Sequence, residues 1–342
     1  MFNLNFTIYH YEREQIELKK ACFIVPYFGQ LPNYFQLFLN SCANNLNYEW
    51  LIFTDCTQQY IYPKNVKKIS MSFSDLRKLI QLKFDFPISL VTPKKLCDYK
   101  PAFGYIFENY IKGYKYWGHC DIDVIMGNLD NFLPPLFARD YDKIFTLGHF
   151  ILYKNNFDNN RRFMKSYKGV SLFKKSFTTN NITVFDENYH NDDNVNSIFL
   201  NDGVSVFQND FSFNVKVTPT KFTRVTYNSK SKKTITHVMP GKILIVHTEK
   251  GLFEFYIKNS KLEKKEFMYI HLQQRMMRLN MDMHQIVCNF AIIPNGFYQL
   301  KDAPKNISEF KMLKKKTLNI HRIRLILKWR LLRIKKLLQN LK

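Results

Sequence analysis

The sequence lacks several features that mark particular protein classes. Its six cysteines form no Cys-x-x-Cys pair and no zinc-like spacing with histidine, which argues against a zinc ribbon or a dithiol redox site. Only 11 Gly and 12 Pro occur in 342 residues, too few for a fibrous or low-complexity chain. No window holds 18 consecutive apolar residues, so no membrane-spanning helix is expected. The cysteines are predicted to be buried thiols in a reducing compartment: Cys22, Cys42, Cys56, Cys97, Cys120 and Cys288.

The composition is that of a folded protein. With 46% hydrophobic residues, including 32 Phe and 20 Tyr, the chain can bury a large core, which excludes intrinsic disorder. The first residues reach Glu12 and Arg13 without an apolar core, unlike a secretory signal. We therefore expect a cytoplasmic protein, peripheral on the inner face of the cytoplasmic membrane.

The formal charge of +23 is unevenly distributed. Of the 51 Lys and Arg, 12 lie in residues 311–342, which hold no acid, so these 32 residues carry +12 and the other 310 carry +11. A high overall pI alone identifies no partner. The C-terminal segment is therefore physically distinct from the rest of the chain.

The N-terminal part reads as a parallel α/β unit. Apolar runs at residues 21–25 and 50–53 predict two buried strands, and Phe35, Phe38, Leu39 and Cys42 predict a helix between them. Ligands of such sheets bind at the carboxyl ends of the strands. This reasoning points to residues 26–29 and to Thr54 with Asp55.

Further elements follow from periodicity and turn signals. Helices are predicted at residues 74–84, capped by Ser74, and at about 101–111. Polar segments 155–160 and 178–196 are predicted to be loops, the second as a lid or acceptor-binding insertion. Strands are predicted at residues 65–69, 114–120, 143–147, 204–208 and 214–217, with a hairpin of 243–247 and 253–257.

Two aspartates follow the predicted strand 114–120. Asp121 and Asp123 flank an apolar residue, and their oxygens suit Mg²⁺ or Mn²⁺, which keeps open positions for phosphate oxygens. The alternative is a pair of solvated turn formers. Upstream, Asp98 and Lys100 could serve a sugar hydroxyl and a phosphate respectively.

Two segments carry a resemblance to known proteins: Asp98-Tyr-Lys-Pro-Ala-Phe-Gly and Tyr116-Trp-Gly-His-Cys-Asp-Ile-Asp-Val-Ile-Met-Gly-Asn-Leu129. In them the chain resembles the GT-A class of nucleotide-sugar glycosyltransferases, and in particular bacterial glycosyltransferase-like proteins found with capsule or lipooligosaccharide genes. The resemblance covers roughly residues 20 to 280. It implies an α/β fold with a GT-A-like (Rossmann-like) mixed sheet flanked by helices.

The resemblance also implies roles for individual residues. Asp121 and Asp123 would bind Mn²⁺ or Mg²⁺, and His271 would be a further ligand, with an ordinary hydrogen-bonded histidine as the alternative. Asp55 could be only a turn residue. The implied donor-binding residues are Pro26, Tyr27, Phe28, Gly29, Thr54, Asp55, Asp98, Lys100, Asp121 and Arg275.

A catalytic base is harder to assign. An inverting transferase needs a carboxylate to deprotonate the acceptor, whereas a retaining enzyme can use the leaving phosphate. The resemblance favours Asp186 or Glu187, and Asp202 is a second candidate. All of these could also be solvated loop acids.

The C-terminal segment predicts a basic amphipathic helix. At about 100° per residue, the apolar positions of residues 320–341 form one broad stripe, with most Lys and Arg facing away. Such a helix suits an anionic membrane surface, with Trp329 near the boundary. The alternative is a helix packed on its parent domain or a partner.

Together these features predict a leader (1–19), a catalytic domain (20–300) and a helical tail (301–342). The nucleotide-binding half would be about 20–130 and the acceptor half about 131–300. The leading hypothesis is a metal-dependent glycosyltransferase using a nucleotide sugar, with UDP as the expected nucleotide, and a surface-glycan or lipid-linked acceptor. The alternatives are a non-catalytic membrane- or nucleic-acid-binding protein and a metal-dependent phosphoryl transferase. No nucleic-acid partner is expected under the leading hypothesis.

Overall fold

The computed structural model describes most of the chain. The described residues are 19–188, 192–216, 218, 221–228, 231, 233–237, 242–282, 289–315 and 320–339. Cys288 lies outside them. The five described cysteines are free thiols: Cys22, Cys42 and Cys120 are buried, and Cys56 and Cys97 are partly exposed.

The strands of the first half of the chain build the main sheet and begin a smaller one. They are β1 (Lys19–Pro26), β2 (Tyr48–Thr54), β3 (Val66–Ser70), β4 (Tyr114–Cys120), β5 (Val124–Met126), β6 (Lys143–Ile144), β7 (Phe150–Lys154), β8 (Val206–Phe207) and β9 (Ser212–Asn214). The later strands are β10 (Val225–Asn228), β11 (Lys233–Thr236), β12 (Ile243–Thr248), β13 (Gly251–Lys258), β14 (Lys261–Phe267), β15 (Tyr269–His271), β16 (Arg278–Asn280), β17 (Phe290–Ile293) and β18 (Gly296–Gln299).

The helices are mostly short. They are α1 (Phe35–Ala43), α2 (Phe73–Gln81), α3 (Leu96–Tyr99), α4 (Phe103–Ile106), α5 (Pro134–Ala138), α6 (Phe157–Arg161), α7 (Leu172–Phe177), α8 (Val195–Asn201), α9 (Ile307–Lys315) and α10 (Ile320–Gln339). Single 3-10 turns lie at Pro93–Lys95, Lys100–Ala102, Leu129–Asn131 and Arg162–Met164.

The main sheet is mixed, in the order β3-β2-β1-β4-β7-β6-β8. β1 pairs in parallel with both β2 and β4, whereas β7 is antiparallel to β4. The predicted strand, helix and strand unit at the N-terminus is confirmed as β1, α1 and β2. The mixed α/β architecture predicted from sequence is therefore present.

The order of the parallel strands reverses between β1 and β4. The chain builds β1, β2 and β3 outward in one direction and then returns to place β4 on the other side of β1. Such a reversal opens a crevice beyond the carboxyl ends of the two central strands, because their connections leave in opposite directions. In this protein the crevice lies between Pro26 and Cys120, at the ends of β1 and β4.

Both faces of the main sheet are covered by apolar residues. Phe23 and Val25 of β1 belong to one buried cluster, and Cys22 and Ile24 belong to another, as expected when successive side chains point to opposite faces. A six-stranded sheet, β14-β13-β12-β17-β18-β16, contributes to a third buried cluster, which also contains Leu37 of α1 and Ile125 of β5. A three-stranded sheet, β5-β15-β9, links the two halves of the chain.

Several predicted element boundaries were wrong. Helix α2 begins earlier than predicted, because the side chain of Ser72, and not Ser74, accepts the Asp75 N–H. Segment 155–160 was predicted to be a loop but contains α6, capped by Asn156, which accepts the Asn159 N–H. The helix predicted at 101–111 is only α4, preceded by a 3-10 turn.

The strands predicted at 143–147, 204–208 and 214–217 are shorter or shifted, as β6, β8 and β9. Segment 178–196, predicted to be a loop, ends in the first turn of α8, and its residues 189–191 lie outside the described residues.

The hairpin predicted from 243–247 and 253–257 is confirmed as β12 and β13. The predicted C-terminal helix is present as α10, and residues 340–342 lie outside the described part of the chain. Within that part, no helix combines the length and apolarity that spanning a bilayer would need. The division into leader, catalytic domain and tail stays a prediction.

Candidate functional site

A cleft of about 910 Å³ lies at the crevice between β1 and β4. Its lining includes Pro26 and Tyr27 after β1, and Asp121 and Asp123 after β4. The cleft therefore opens where the reversal in strand order predicts a ligand site.

Three predicted metal ligands meet in this cleft. His271 Nε2 lies 3.4 Å from Asp123 Oδ1 and 3.7 Å from Asp121 Oδ2. One ligand atom from each residue lies within 4.8 Å of the other two. Two carboxylates and one imidazole, facing a common point, form a donor set that fits Mn²⁺ or Mg²⁺.

The three-stranded sheet brings these residues together from distant parts of the sequence. His271 on β15 pairs with Val124 on β5, one residue after Asp123. On its other side, His271 pairs with Asn214 on β9. The Leu272 N–H donates to the Asp123 carbonyl at 2.9 Å and so extends the backbone pairing of β15 with β5 by one more hydrogen bond. Backbone pairing thus fixes the spacing of the imidazole and the carboxylates.

Each of the three side chains is also held by its remaining polar atom. Lys100 Nζ donates to Asp121 Oδ1 at 2.7 Å, and the Gln274 N–H donates to Asp123 Oδ2 at 2.6 Å. His271 Nδ1 lies 3.1 Å from Asn214 Oδ1, so the amide oxygen accepts its proton and leaves the Nε2 lone pair toward the carboxylates. Such outer contacts orient metal ligands and fix the histidine tautomer.

An unusual turn supplies one of these contacts. Gln273 and Gln274 both have positive φ, 57° and 51°, in the left-handed region that non-glycine residues seldom adopt. The turn aims the Gln274 N–H at Asp123. Strained backbone of this kind concentrates at functional sites, where the surrounding structure maintains it.

His271 is electrostatically tied to the two carboxylates. Burial alone would lower the pKa of its imidazole, but Asp123 and then Asp121 outweigh this effect and raise it. The imidazole of His271 therefore binds a proton more readily than the imidazole of an ordinary histidine does. Any cation that uses the same lone pair has to compete with that proton.

Two of the three predicted base candidates, Asp186 and Glu187, line the same cleft. Glu187 accepts the Gly148 N–H at 2.9 Å, while Asp186 is buried and lies 3.4 Å from Lys100 Nζ. Burial raises the pKa of Asp186 to about 7, although Lys100 acts in the opposite direction. Burial would lower the pKa of Lys100, but Asp121 and Asp186 outweigh this and raise it.

Asp202, the second candidate base, pairs with Lys165 at 2.6 Å and is absent from the cleft lining.

The predicted nucleoside loop reaches the cleft only in part. Pro26 and Tyr27 line the cleft, but Phe28 is buried against Phe73, with ring centroids 5.5 Å apart. The Gly29 N–H donates to Asp55 Oδ1 at 3.2 Å, and φ of 100° at this position requires glycine.

Thr54 is buried, and its side chain accepts the Cys56 N–H. The prediction that Phe28 and Thr54 hold a nucleoside is therefore corrected to a packing and turn role. Asp55, which the sequence also allowed as a turn residue, is exposed and anchors the loop through Gly29.

Two further predictions about the donor site were wrong. Asp98 is fully buried; it pairs with Lys95 and accepts the N–H groups of Thr183 and Phe185. Its carboxylate therefore anchors the following segment instead of facing a donor.

Arg275, predicted to bind phosphate, is also buried and donates to the carbonyls of Lys216, Thr218 and Pro294. Its guanidinium therefore holds backbone that follows β9 and β17. Among the donor-side predictions, Pro26, Tyr27, Lys100 and Asp121 remain in the cleft lining.

A protein-family profile described as "Family of unknown function (DUF6625)" matches residues 23–301. The chain belongs to this family. No curated protein matches the chain significantly.

Among solved structures, the chain is similar to a crystal structure of a galactosyltransferase, LgtC, in complex with donor and acceptor sugar analogues. The identity is 12%, the match covers 58% of this chain and 76% of the other, and the TM-score is 0.30. A likeness of this size says nothing about the chemistry of the cleft, which has to be inferred from its own side chains.

The sequence did not reveal every residue of the site in this DUF6625 member. Asn214 and Gln274 were missed because an isolated amide residue carries no motif. Asn214 is the first residue of the predicted strand 214–217, and only the pairing of β9 with β15 shows that it meets His271. Gln274 acts through its backbone N–H, which no side-chain pattern could reveal.

Proposed function

We propose that this protein is a metal-dependent glycosyltransferase that transfers a sugar from a nucleotide diphosphate sugar, with UDP as the expected nucleotide. The observation that carries the proposal is the convergence of Asp121 Oδ2, Asp123 Oδ1 and His271 Nε2 in the cleft at the strand reversal. The surface-glycan acceptor and the location at the cytoplasmic membrane are predictions from the resemblance and the basic tail.

The donor set supports a cation that also binds phosphate. Asp121, Asp123 and His271 leave one side of the common point open to the cleft, where further ligands can come from a diphosphate. A divalent cation bound there would neutralise the charge that develops on the departing nucleotide diphosphate. Lys100 keeps Asp121 in orientation and adds a positive charge beside the same point.

The acids on the cleft wall suit proton transfer. Asp186 is tied to Lys100 and buried, so its carboxylate is less available to a substrate. Glu187 is only partly buried, and its carboxylate accepts the Gly148 N–H. Of the two acids that the resemblance indicated, Glu187 is therefore better placed to accept a proton from an acceptor hydroxyl.

Donor hydrolysis is the direct test. The wild type and Asp123→Asn would be incubated with a panel of nucleotide sugars, with and without Mn²⁺, and free sugar and nucleotide would be quantified. The expected result is Mn²⁺-dependent release of sugar from one donor, reduced at least about a hundredfold in the variant.

Asp140→Asn is the matched control, because Asp140 pairs with Lys154 at the surface and its φ of 56° suits asparagine. Equal rates in the wild type and Asp123→Asn would contradict the proposal. Release of inorganic phosphate in place of sugar would favour a phosphoryl transferase.

A further inference from the structure

Helix α10 carries an exposed apolar stripe. Its members recur at intervals of three and four residues, and each is between 52% and 67% exposed. They are Ile320, Ile323, Leu327, Leu331 and Ile334. At about 100° per residue these positions share one face of the helix. Exposing such a row to water is unfavourable, which indicates that another surface covers it.

The helix touches the rest of the protein through a different face. Leu325 is only 4% exposed, and it lies about 160° around the helix axis from the middle of the stripe. On the same side, His321 approaches the Met276 carbonyl at 3.5 Å and Lys328 approaches the Met276 sulfur at 3.7 Å. Helix α10 therefore packs on the parent fold through this face, and the stripe points away from that contact.

Basic residues border the stripe on both sides. Arg324 and Arg330 lie next to its two edges in the helical projection, and both are exposed. Helix α10 contains no Asp or Glu. Long cationic side chains beside an apolar stripe can reach headgroup phosphates while the stripe enters the acyl region.

We infer that α10 docks flat on an anionic lipid bilayer, with the stripe at the level of the acyl chains. Charge complementarity favours this occupant, since residues 311–342 carry +12 and no acid. Self-association through the stripe would bring Arg324 and Arg330 against like charges with no acid on α10 to pair them. A nucleic acid would contact the cations but leave the apolar stripe exposed.

Vesicle binding by the full chain tests the stripe with a matched pair of variants. Leu327 and Leu332 are both 54% exposed, but only Leu327 lies in the stripe. Co-sedimentation would use vesicles of equal parts phosphatidylcholine and phosphatidylglycerol. Leu327→Glu should weaken binding about tenfold or more, whereas Leu332→Glu, with the same charge change, should weaken it about twofold at most.

The requirement for anionic lipid and for the basic residues beside the stripe is tested separately. Binding should fall about tenfold or more on vesicles of phosphatidylcholine alone, and for Arg324→Gln/Arg330→Gln on the mixed vesicles. Equal weakening by Leu327→Glu and Leu332→Glu would overturn the inference. No binding to mixed vesicles, tighter binding to a DNA duplex, or a dimer that Leu327→Glu dissociates would also overturn it.

The controls separate this inference from the proposed function. Circular dichroism should show the same helix content in both leucine variants. Their Mn²⁺ affinity should equal that of the wild type, because α10 contributes no residue to the cleft lining. Absence of Mn²⁺ binding in all proteins would oppose the proposed function and leave the vesicle result unaffected.

Discussion

At the residue scale, the site depends on side chains that use one polar atom for support and leave the other for a ligand. Asp121, Asp123 and His271 all show this division, with Lys100 and Asn214 among the supports. A free carboxylate rotates and samples many positions, whereas these groups are held toward one point. Preorientation of this kind reduces the entropy lost when a cation binds.

Asn214→Ala tests the support of His271. Without the amide oxygen, the imidazole loses the partner of its Nδ1 proton, so its orientation and tautomer are no longer fixed. We expect Mn²⁺ affinity, measured by isothermal titration calorimetry, to fall about 10- to 100-fold. Asn214→Asp retains an acceptor oxygen and should restore most of the affinity. Unchanged affinity in Asn214→Ala would show that this contact is incidental.

The pH dependence of Mn²⁺ binding tests the role of His271. Because Asp123 and Asp121 raise its pKa, the imidazole is protonated over a wider pH range than an ordinary histidine, and a cation must displace that proton. Affinity should therefore fall by up to about tenfold per pH unit below that pKa and level off above it. Below that pKa, calorimetry in two buffers of different ionisation enthalpy should detect one released proton, and well above it none. Affinity independent of pH would contradict this role.

Sequence reasoning identified the residues that bind directly better than those that support them. Asp121 and Asp123 stand out because they follow an apolar strand, and the resemblance added His271. Asp98 was assigned wrongly because its burial depends on the N–H groups of Thr183 and Phe185, more than 80 residues away. Contacts between distant segments leave no trace in local spacing, so such errors cannot be removed by closer inspection of a motif.

At the element scale, the predicted β1-α1-β2 unit was correct because strong apolar periodicity reports burial directly. The errors concern short polar elements. Helix α6 has only five residues, rich in Asn and Asp, and owes its start to the Asn156 cap. Neither propensity nor periodicity can detect a helix of little more than one turn, because tertiary contacts and caps stabilise it.

Helix α4 and strand β4 meet at a point that admits no side chain. A Cβ at Gly104 would lie 2.2 Å from the ring of Trp117. That ring cannot easily move, since it is fully buried, stacks on Tyr153 at 4.4 Å and donates to Asn160 at 2.7 Å.

Gly104→Ala should therefore lower the free energy of unfolding in urea by about 1–3 kcal/mol, despite the better helix propensity of alanine. Asn109→Ala, at an exposed position nearby, is the control and should change it by less than about 0.5 kcal/mol. Equal stabilities of the two variants would show that the close packing of α4 on β4 is unimportant.

At the scale of the whole molecule, the order of the strands determines where the cleft lies, independently of its side chains. The order β3-β2-β1-β4 creates the crevice, and the small sheet β5-β15-β9 brings His271 to it from far along the chain. The sequence allowed only the β1-α1-β2 part of this order to be predicted, since that parallel unit is visible in the apolar runs, whereas the place of β4 beside β1 comes from the structure. It did not allow the small sheet to be predicted, because β15 has three residues and pairs with strands far from it along the chain.

We propose that Asp121, Asp123 and His271 bind one divalent cation beside a nucleotide diphosphate. Anomalous diffraction from crystals soaked with Mn²⁺ and UDP would locate that cation. We expect one manganese peak about 2.0–2.3 Å from Asp121 Oδ2, Asp123 Oδ1 and His271 Nε2, with diphosphate oxygens completing its coordination. A peak elsewhere, or UDP bound away from these three atoms, would contradict it.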